Sequence, residues 1–289
     1  MYPAPSVLVF TVLSGLGFGT MVFLGAFVHL SGASAFLMWG LAYALAVAGL
    51  LASTFHLGHP ERAWRAFSQW RSSWLSREGI AAVATLLVLA PVALSDWLQL
   101  GLPAWFGLFG AGLALVTIGT TSMIYAQLKT VPRWNHWSTP AQFFAFALGG
   151  GALASGQGLA PVLLALLALA LLAHWHYGDR RFAEVGADMG SATGLGALGK
   201  VSVFDPAHTA GSYVMREMIF VVGRKHVAKL RGLALVLACL IPGLVALLPT
   251  HPAMTALAVL CHLTGAFAAR WLFFAQAEHV VGLYYGKRQ

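Results

Sequence analysis

Charge is what this chain lacks most. Only 9% of its 289 residues are Asp, Glu, Lys or Arg, against about 25% in an average soluble domain. That is too little polar surface to cover a soluble globule. The hydrophobic fraction is 59% and the mean hydropathy is +0.77, so the expected class is a multi-spanning membrane protein. Acid is scarcer than base, nine Asp and Glu against seventeen Lys and Arg, for a net charge of +8. Cysteine is nearly missing. Cys239 and Cys261 both fall inside apolar runs and form no C-x-x-C, no zinc spacing and no haem-attachment motif. They read as small apolar core residues, and no metal site is expected. An iron–sulfur cluster wants about four thiolates, so any such cluster belongs to another chain. The start, MYPAPS, has no positive n-region and runs into a long apolar segment, which reads as a retained span and not a cleaved signal peptide.

What charge there is gathers in a few places. Residues 1–60 carry none, 79–128 carry only Asp96, and 134–178 and 232–269 carry none. A membrane helix takes about 20 apolar residues, so each stretch is too long for one span. Each breaks at turn formers: HLSGASA (29–35), SDWLQLGLP (95–103), GGGALASGQGLAP (149–161) and LLPTHP (247–252). The expectation is an all-α, polytopic protein of eight transmembrane helices in four hairpins. The spans are placed at 5–30, 36–57, 79–98, 104–126, 140–156, 160–178, 231–248 and 253–283. Both termini then lie on one side, with every Lys and Arg except Arg270. The positive-inside rule puts that side in the cytoplasm. Its basic face suits anionic headgroups or an acidic protein partner; no nucleic-acid-binding module is visible.

The longest polar segment is the loop 179–230. Met215, Met218, Ile219, Val222 and His226 recur at helical spacing, which predicts an amphipathic helix lying in the interface or on protein. The same loop holds GLGALGK (194–200), a match to G-x-G-x-x-G. No apolar strand precedes it, no βαβ unit fits, and Val201 stands where a P-loop needs a hydroxyl. Tight backbone turns are the expected use of these glycines.

Chemistry concentrates in TFHLGHPERAWRAFSQWRSSWLSREG (54–79). Gly58 and Pro60 are ordinary helix-stop residues, and His59 fits a helix end. His56 is placed one turn back, at the membrane edge, where an ionisable group is costly and often functional. Glu78 enters the membrane from the same side. The helix dipole favours a Glu there, but His56 and Glu78 together also offer a proton donor and acceptor at one depth. Arg71 and Arg77 are candidates to balance the carboxylate. Trp64, Trp70 and Trp74 are interfacial aromatics that would equally wall a flat ring bearing carbonyls. A quinone is such a ring, and its reduction takes protons. His174 and His176 in HWHYGDRR point about 200° apart on a helix and are expected at the interface, not on one metal. Arg270 is placed near mid-depth in the last span with His262 two turns earlier; with Glu278 they form a candidate proton path. Haem b would need two histidines from different helices at one depth. His56 could meet His176 or His279 near the cytoplasmic side, but nothing fixes such a pair, so haem is not the favoured cofactor.

HLGHPERAWRAF (56–67), SWLSREG (73–79), ATGLGALGKV (192–201) and VVGRKHVAKLR (221–231) resemble the membrane anchor subunit of dimethyl sulfoxide reductase and its relatives. The likeness spans essentially the whole chain. It implies an anchor that holds an iron–sulfur electron-transfer subunit and, through it, a molybdopterin catalytic subunit, and that exchanges electrons with membrane quinone (ubiquinone or menaquinone). It places quinone contacts on His56 and Glu78, and no catalytic residue in the usual sense. Arg62, Arg65, Arg133, Arg180, Arg181 and Lys200 are the candidate partner-docking residues. The best-known reductases of this family turn the corresponding loop to the periplasm. Here the positive charge puts it in the cytoplasm, which looks more like the sulfite-oxidising branch. Three other readings stand beside this one: a quinol-oxidising anchor of a dimethyl sulfoxide or other reductase, a proton-translocating or transport protein using Arg270 and His262, and a structural anchor with no quinone site. The paired, interrupted helices typical of transporters are not seen.

Overall fold

Inside hydrocarbon a backbone must satisfy its own hydrogen bonds, and a helix does so within one segment. The computed structural model describes residues 1–55, 59–202, 204, 218, 226–249 and 251–285, without the side chains of Pro60 and Tyr285. Among them every regular element is helical. Seven helices are long and apolar enough to cross a membrane: α1 (Pro5–Ala26), α2 (Gly32–Thr54), α3 (Trp74–Leu98), α4 (Ala104–Ala126), α6 (Ala160–Val185), α8 (Val227–Val245) and α9 (Pro252–Ala275). The eighth expected rod, α5 (Ser138–Ala154), has 17 residues, or roughly 25 Å, the short end of the spanning range. A short α7 (Met189–Thr193) and 3-10 segments at Pro60–Gln69, Gly196–Leu198 and Val280–Tyr285 complete the chain.

The spans pack around α1, which is the most enclosed of the seven. It touches α2, α4, α5 and α9. The contacts with α4 and α5 run backbone to backbone. A Cβ on Gly19 would overlap the Ala147 carbonyl of α5, and one on Gly107 the Gly25 carbonyl. Small residues let membrane helices close this far. Asp96, the lone acid of its apolar run, accepts the Trp39 indole N–H at 2.8 Å and so ties α3 to α2.

The helix ends differ from the expected ones, each for an identifiable reason. Ser73 caps α3, its hydroxyl accepting the Ser76 amide N–H. The helix therefore starts at Trp74, and Glu78 falls in its second turn, not its first. α6 continues to Val185 because nothing stops it before Gly186, whose φ of 62° ends it. α9 stops at Ala275 and the chain turns back, with the Val280 N–H donating to the Thr130 carbonyl at 2.9 Å. Arg270 accordingly sits five residues, about 7.5 Å, from the end of α9, not at mid-depth. His262 is the residue near the middle. The turn role expected of the loop glycines appears at Gly194 and Gly199, with φ of 71° and 138°. The expected amphipathic helix lies outside the described residues except for Met218 and His226.

The ends that carry the positive charge are tied together. The Met1 ammonium donates to the Ala277 carbonyl at 2.6 Å, and the Trp134 indole to the Phe273 carbonyl at 3.0 Å. Asp179 of α6 holds Arg231 at the start of α8 through two bonds of 2.7 and 2.8 Å and also pairs with Arg133 of the α4–α5 connection. These ends form one basic end of the bundle.

Candidate functional site

The 3-10 segment Pro60–Gln69 leads into α3 and is clamped there. Arg77 donates from Nε to the Trp70 carbonyl at 2.9 Å and from Nη2 to the Arg71 carbonyl at 2.7 Å, with its guanidinium 4.3 Å from the Trp74 ring centre. Arg71 lies over Trp70 and Arg65 over Trp64. Arginine and tryptophan pair three times in this short connection, which suits an interface where one side chain is wet and the other greasy. The expected charge balance is not found. Arg77 is spent on backbone carbonyls, and neither it nor Arg71 balances Glu78. His56 lies outside the described residues.

Glu78 is 4% exposed, and its Oε1 has no hydrogen-bond partner among the described residues. A buried oxygen of this kind calls for water, an ion or a ligand. Tyr125, at the end of α4, lies within electrostatic reach of both Glu78 and Arg270. Its ring packs against Trp134, Phe143, Phe273 and Phe274, with centroids 5.3–5.6 Å away. This aromatic box was missed from sequence. The signal was present in RWNHW (133–137) and WLFF (271–274), but interfacial aromatics look alike until packing sorts them.

Arg270 is 3% exposed. Its guanidinium lies 3.6 Å from the Phe143 ring centre and 5.1 and 5.6 Å from those of Phe146 and Phe273. Its Nη1 makes no hydrogen bond among the described residues. Arg270 and His262 line one cavity of about 20 Å³ together with Thr11, Ser14 and Thr121, room for about one water. The proline of α8 fixes His262. Pro242 has no N–H, so the Ala238 carbonyl four residues earlier has lost its usual helical donor. Residues Val236–Leu240 form a π turn there, and the Ala238 carbonyl faces His262 Nδ1 at 2.7 Å. Nδ1 must then carry the proton, which leaves Nε2 as an acceptor. Gly150 makes space for it, since a Cβ there would stand 2.7 Å from Nε2.

His174 points into the protein and not outward. It is 1% exposed, on α6, with Nδ1 3.0 Å from the Ser138 hydroxyl. Its neighbour in the motif, His176, is exposed. Among the expected docking residues, Arg62, Arg65, Arg180 and Lys200 are exposed. Arg181 is half-buried and pairs with Glu184 at 3.4 Å. Arg133 is 9% exposed and paired with Asp179, so it ties α6 to the α4–α5 connection. Burial depresses the Arg133 pKa against the pull of Asp179. Glu278 is half-buried beyond the end of α9, near Arg133 and outside the cavity of Arg270 and His262. No group of three His, Cys, Asp or Glu side chains able to hold a metal occurs among the described residues. A second cavity, about 180 Å³, opens at the opposite end between α5, α6, α8 and α9. It is lined by residues such as Gln157, Val245 and Thr255 and by no titratable side chain.

Residues 1–176 match the family model of the DMSO reductase anchor subunit (DmsC). The chain is 31% identical to a sulfite dehydrogenase subunit of Allochromatium vinosum over 326 aligned residues, which cover 99% of each chain. No solved structure matches.

Proposed function

We propose, from the premise that this chain belongs to the DMSO reductase anchor subunit family, that it passes electrons between a partner iron–sulfur subunit and membrane quinone. A molybdopterin catalytic subunit sits beyond that partner, and the chain anchors both to the bacterial inner membrane. Its own contribution is the buried carboxyl of Glu78 at the basic end, the observation that carries this reading. With His56 it exchanges the protons of the quinone carbonyls, which must be hydrogen-bonded and then protonated as electrons arrive. Trp74 and its neighbours wall the ring. Arg270 supplies a fixed cation in a low-dielectric setting, which favours the negative charge that builds on a quinone taking electrons.

The direction we favour is sulfite oxidation with quinone as acceptor. The similarity to a sulfite dehydrogenase subunit supports it. So does the one-sided positive charge, which by the positive-inside rule puts the termini and the docking face in the cytoplasm. Exposed Arg62, Arg65, Arg180 and Lys200 then meet an acidic partner surface. The test is a gentle pull-down of the tagged chain from native membranes. Two further polypeptides, with iron and molybdenum in the eluate and sulfite-dependent quinone reduction, are expected. A chain that elutes alone, colourless and metal-free under several mild detergents would contradict the anchor role.

A further inference from the structure

Protons must reach a buried quinone site, and the basic end contains a chain of hydrogen bonds leading inward that the proposed site does not use. His136 lies in the α4–α5 connection, half-buried at the surface. Its Nδ1 is 3.0 Å from the Ser138 hydroxyl. The same hydroxyl is 3.0 Å from Nδ1 of His174, which is 1% exposed. One serine oxygen thus joins a surface imidazole to an interior one. Beyond His174 the polar atoms have no partners among the described residues. His174 Nε2, Thr139 Oγ1, Gln142 Nε2, Arg270 Nη1 and Glu78 Oε1 are all buried without hydrogen bonds. Gln142 follows Ser138 by four residues on α5 and so lies on the same helix face. The His174 ring packs 5.6 Å from Phe273, the ring that also contacts Arg270 and Tyr125. Unpaired buried groups are where internal water is held, and the contacts lead from His174 through Phe273 to Tyr125, which is in electrostatic reach of Glu78.

We propose that His136, Ser138 and His174 form a proton relay from the basic face to the buried cluster around Glu78. The proposal rests on the reading of that cluster as the quinone site. Each quinone reduced takes two electrons from the partner iron–sulfur protein and two protons, and the relay delivers the protons singly. A proton from water joins Nε2 of His136. The Nδ1 proton of His136 passes to Ser138 Oγ while the hydroxyl proton of Ser138 passes to Nδ1 of His174. His174 releases a proton inward from Nε2, so one enters and one leaves. After transfer the bare Nδ1 of His136 accepts the Ser138 backbone N–H, 3.4 Å away, so both end states are bonded. Tautomer exchange resets the rings.

The charges facing the relay suit transit and not storage. His174 is buried and faced by Arg133, Arg270, His136 and Arg231, so a proton does not rest there. His136 has its pKa lowered by burial and by Arg181, partly offset by Glu184. A proton taken up there is therefore readily passed on.

The test uses the assembled complex in membranes, with sulfite as donor and either a short-chain quinone or ferricyanide as acceptor. Ser138→Ala and His136→Gln are expected to slow quinone reduction roughly tenfold at alkaline pH, less at acid pH, and to recover in part with added imidazole. Ser138→Thr, which keeps the hydroxyl, is expected to recover most of the rate, and ferricyanide reduction stays unchanged. A Ser138→Ala complex at the wild-type quinone rate, with Glu78→Gln stalled, would overturn the relay and leave the quinone site standing. Slowing without pH dependence or imidazole rescue would mean that the bonds only hold α5 to α6, and would also overturn it. If neither Ser138→Ala nor Glu78→Gln slows quinone reduction, the quinone site and the relay fall together.

Discussion

Glu78→Gln is expected to cut quinone-linked electron flow by about 100-fold or more while the partners stay bound and still reduce a soluble acceptor. The size follows from the contribution of a positioned acid or base, roughly 10²–10⁴ in rate. The selectivity follows from the site. Glu78 is 4% exposed and makes no ion pair among the described residues. An amide of nearly equal volume therefore removes the exchangeable proton without leaving a stranded countercharge. The fold around it is held by other bonds, chiefly Arg77 on the Trp70 and Arg71 carbonyls. The check is the ratio of quinone to ferricyanide reduction in the purified complex. A ratio within twofold of wild type would show that the carboxyl takes no part in proton exchange.

Arg270→Met is expected to move stability and activity in opposite directions. A guanidinium that is 3% exposed, over three phenylalanine rings and with Nη1 unbonded among the described residues, carries a desolvation cost. Replacing buried charge by a well-packed apolar residue is often neutral or stabilising, by about 1–4 kcal/mol. Cation–π contacts offset part of that, at about 2 kcal/mol when desolvated. The thermal midpoint in detergent should therefore stay level or rise, while quinone turnover falls about tenfold or more as the fixed cation is lost. A protein keeps a costly intramembrane cation where it is used. If both stability and turnover dropped together, Arg270 would be a packing residue of the aromatic box.

Much of the architecture was legible in the charge map. Apolar runs longer than one span, each broken by turn formers, place the helices, because hydrocarbon leaves the backbone few alternatives. Helix ends were harder. A serine cap moved Glu78 into the second turn of α3, and the chain reversal after Ala275 moved Arg270 toward the basic end. The first shift depends on one local hydrogen bond and the second goes with a bond between Val280 and Thr130, distant in sequence, and periodicity registers neither. The site was half legible. Glu78 stands out as an acid at a membrane edge, and Arg270 and His262 as intramembrane polar groups. His174 was misread because an H-x-H pair at a helix end looks the same whether one ring is buried or neither is. Only the approach of α5, which brings Ser138 to its Nδ1, reveals the difference. The Arg133–Asp179 pair was equally hidden, since the two are 46 residues apart in sequence.

The central claim is that quinone reacts at the basic end, beside Glu78, and not in the larger cavity at the opposite end. A photoreactive quinone analogue, irradiated with native membranes and mapped by peptide mass spectrometry, tests this directly. Labelling is predicted within residues 54–79, suppressed by excess unlabelled quinone. Labelling confined to the opposite cavity, at residues such as Gln157 or Thr255, would contradict it.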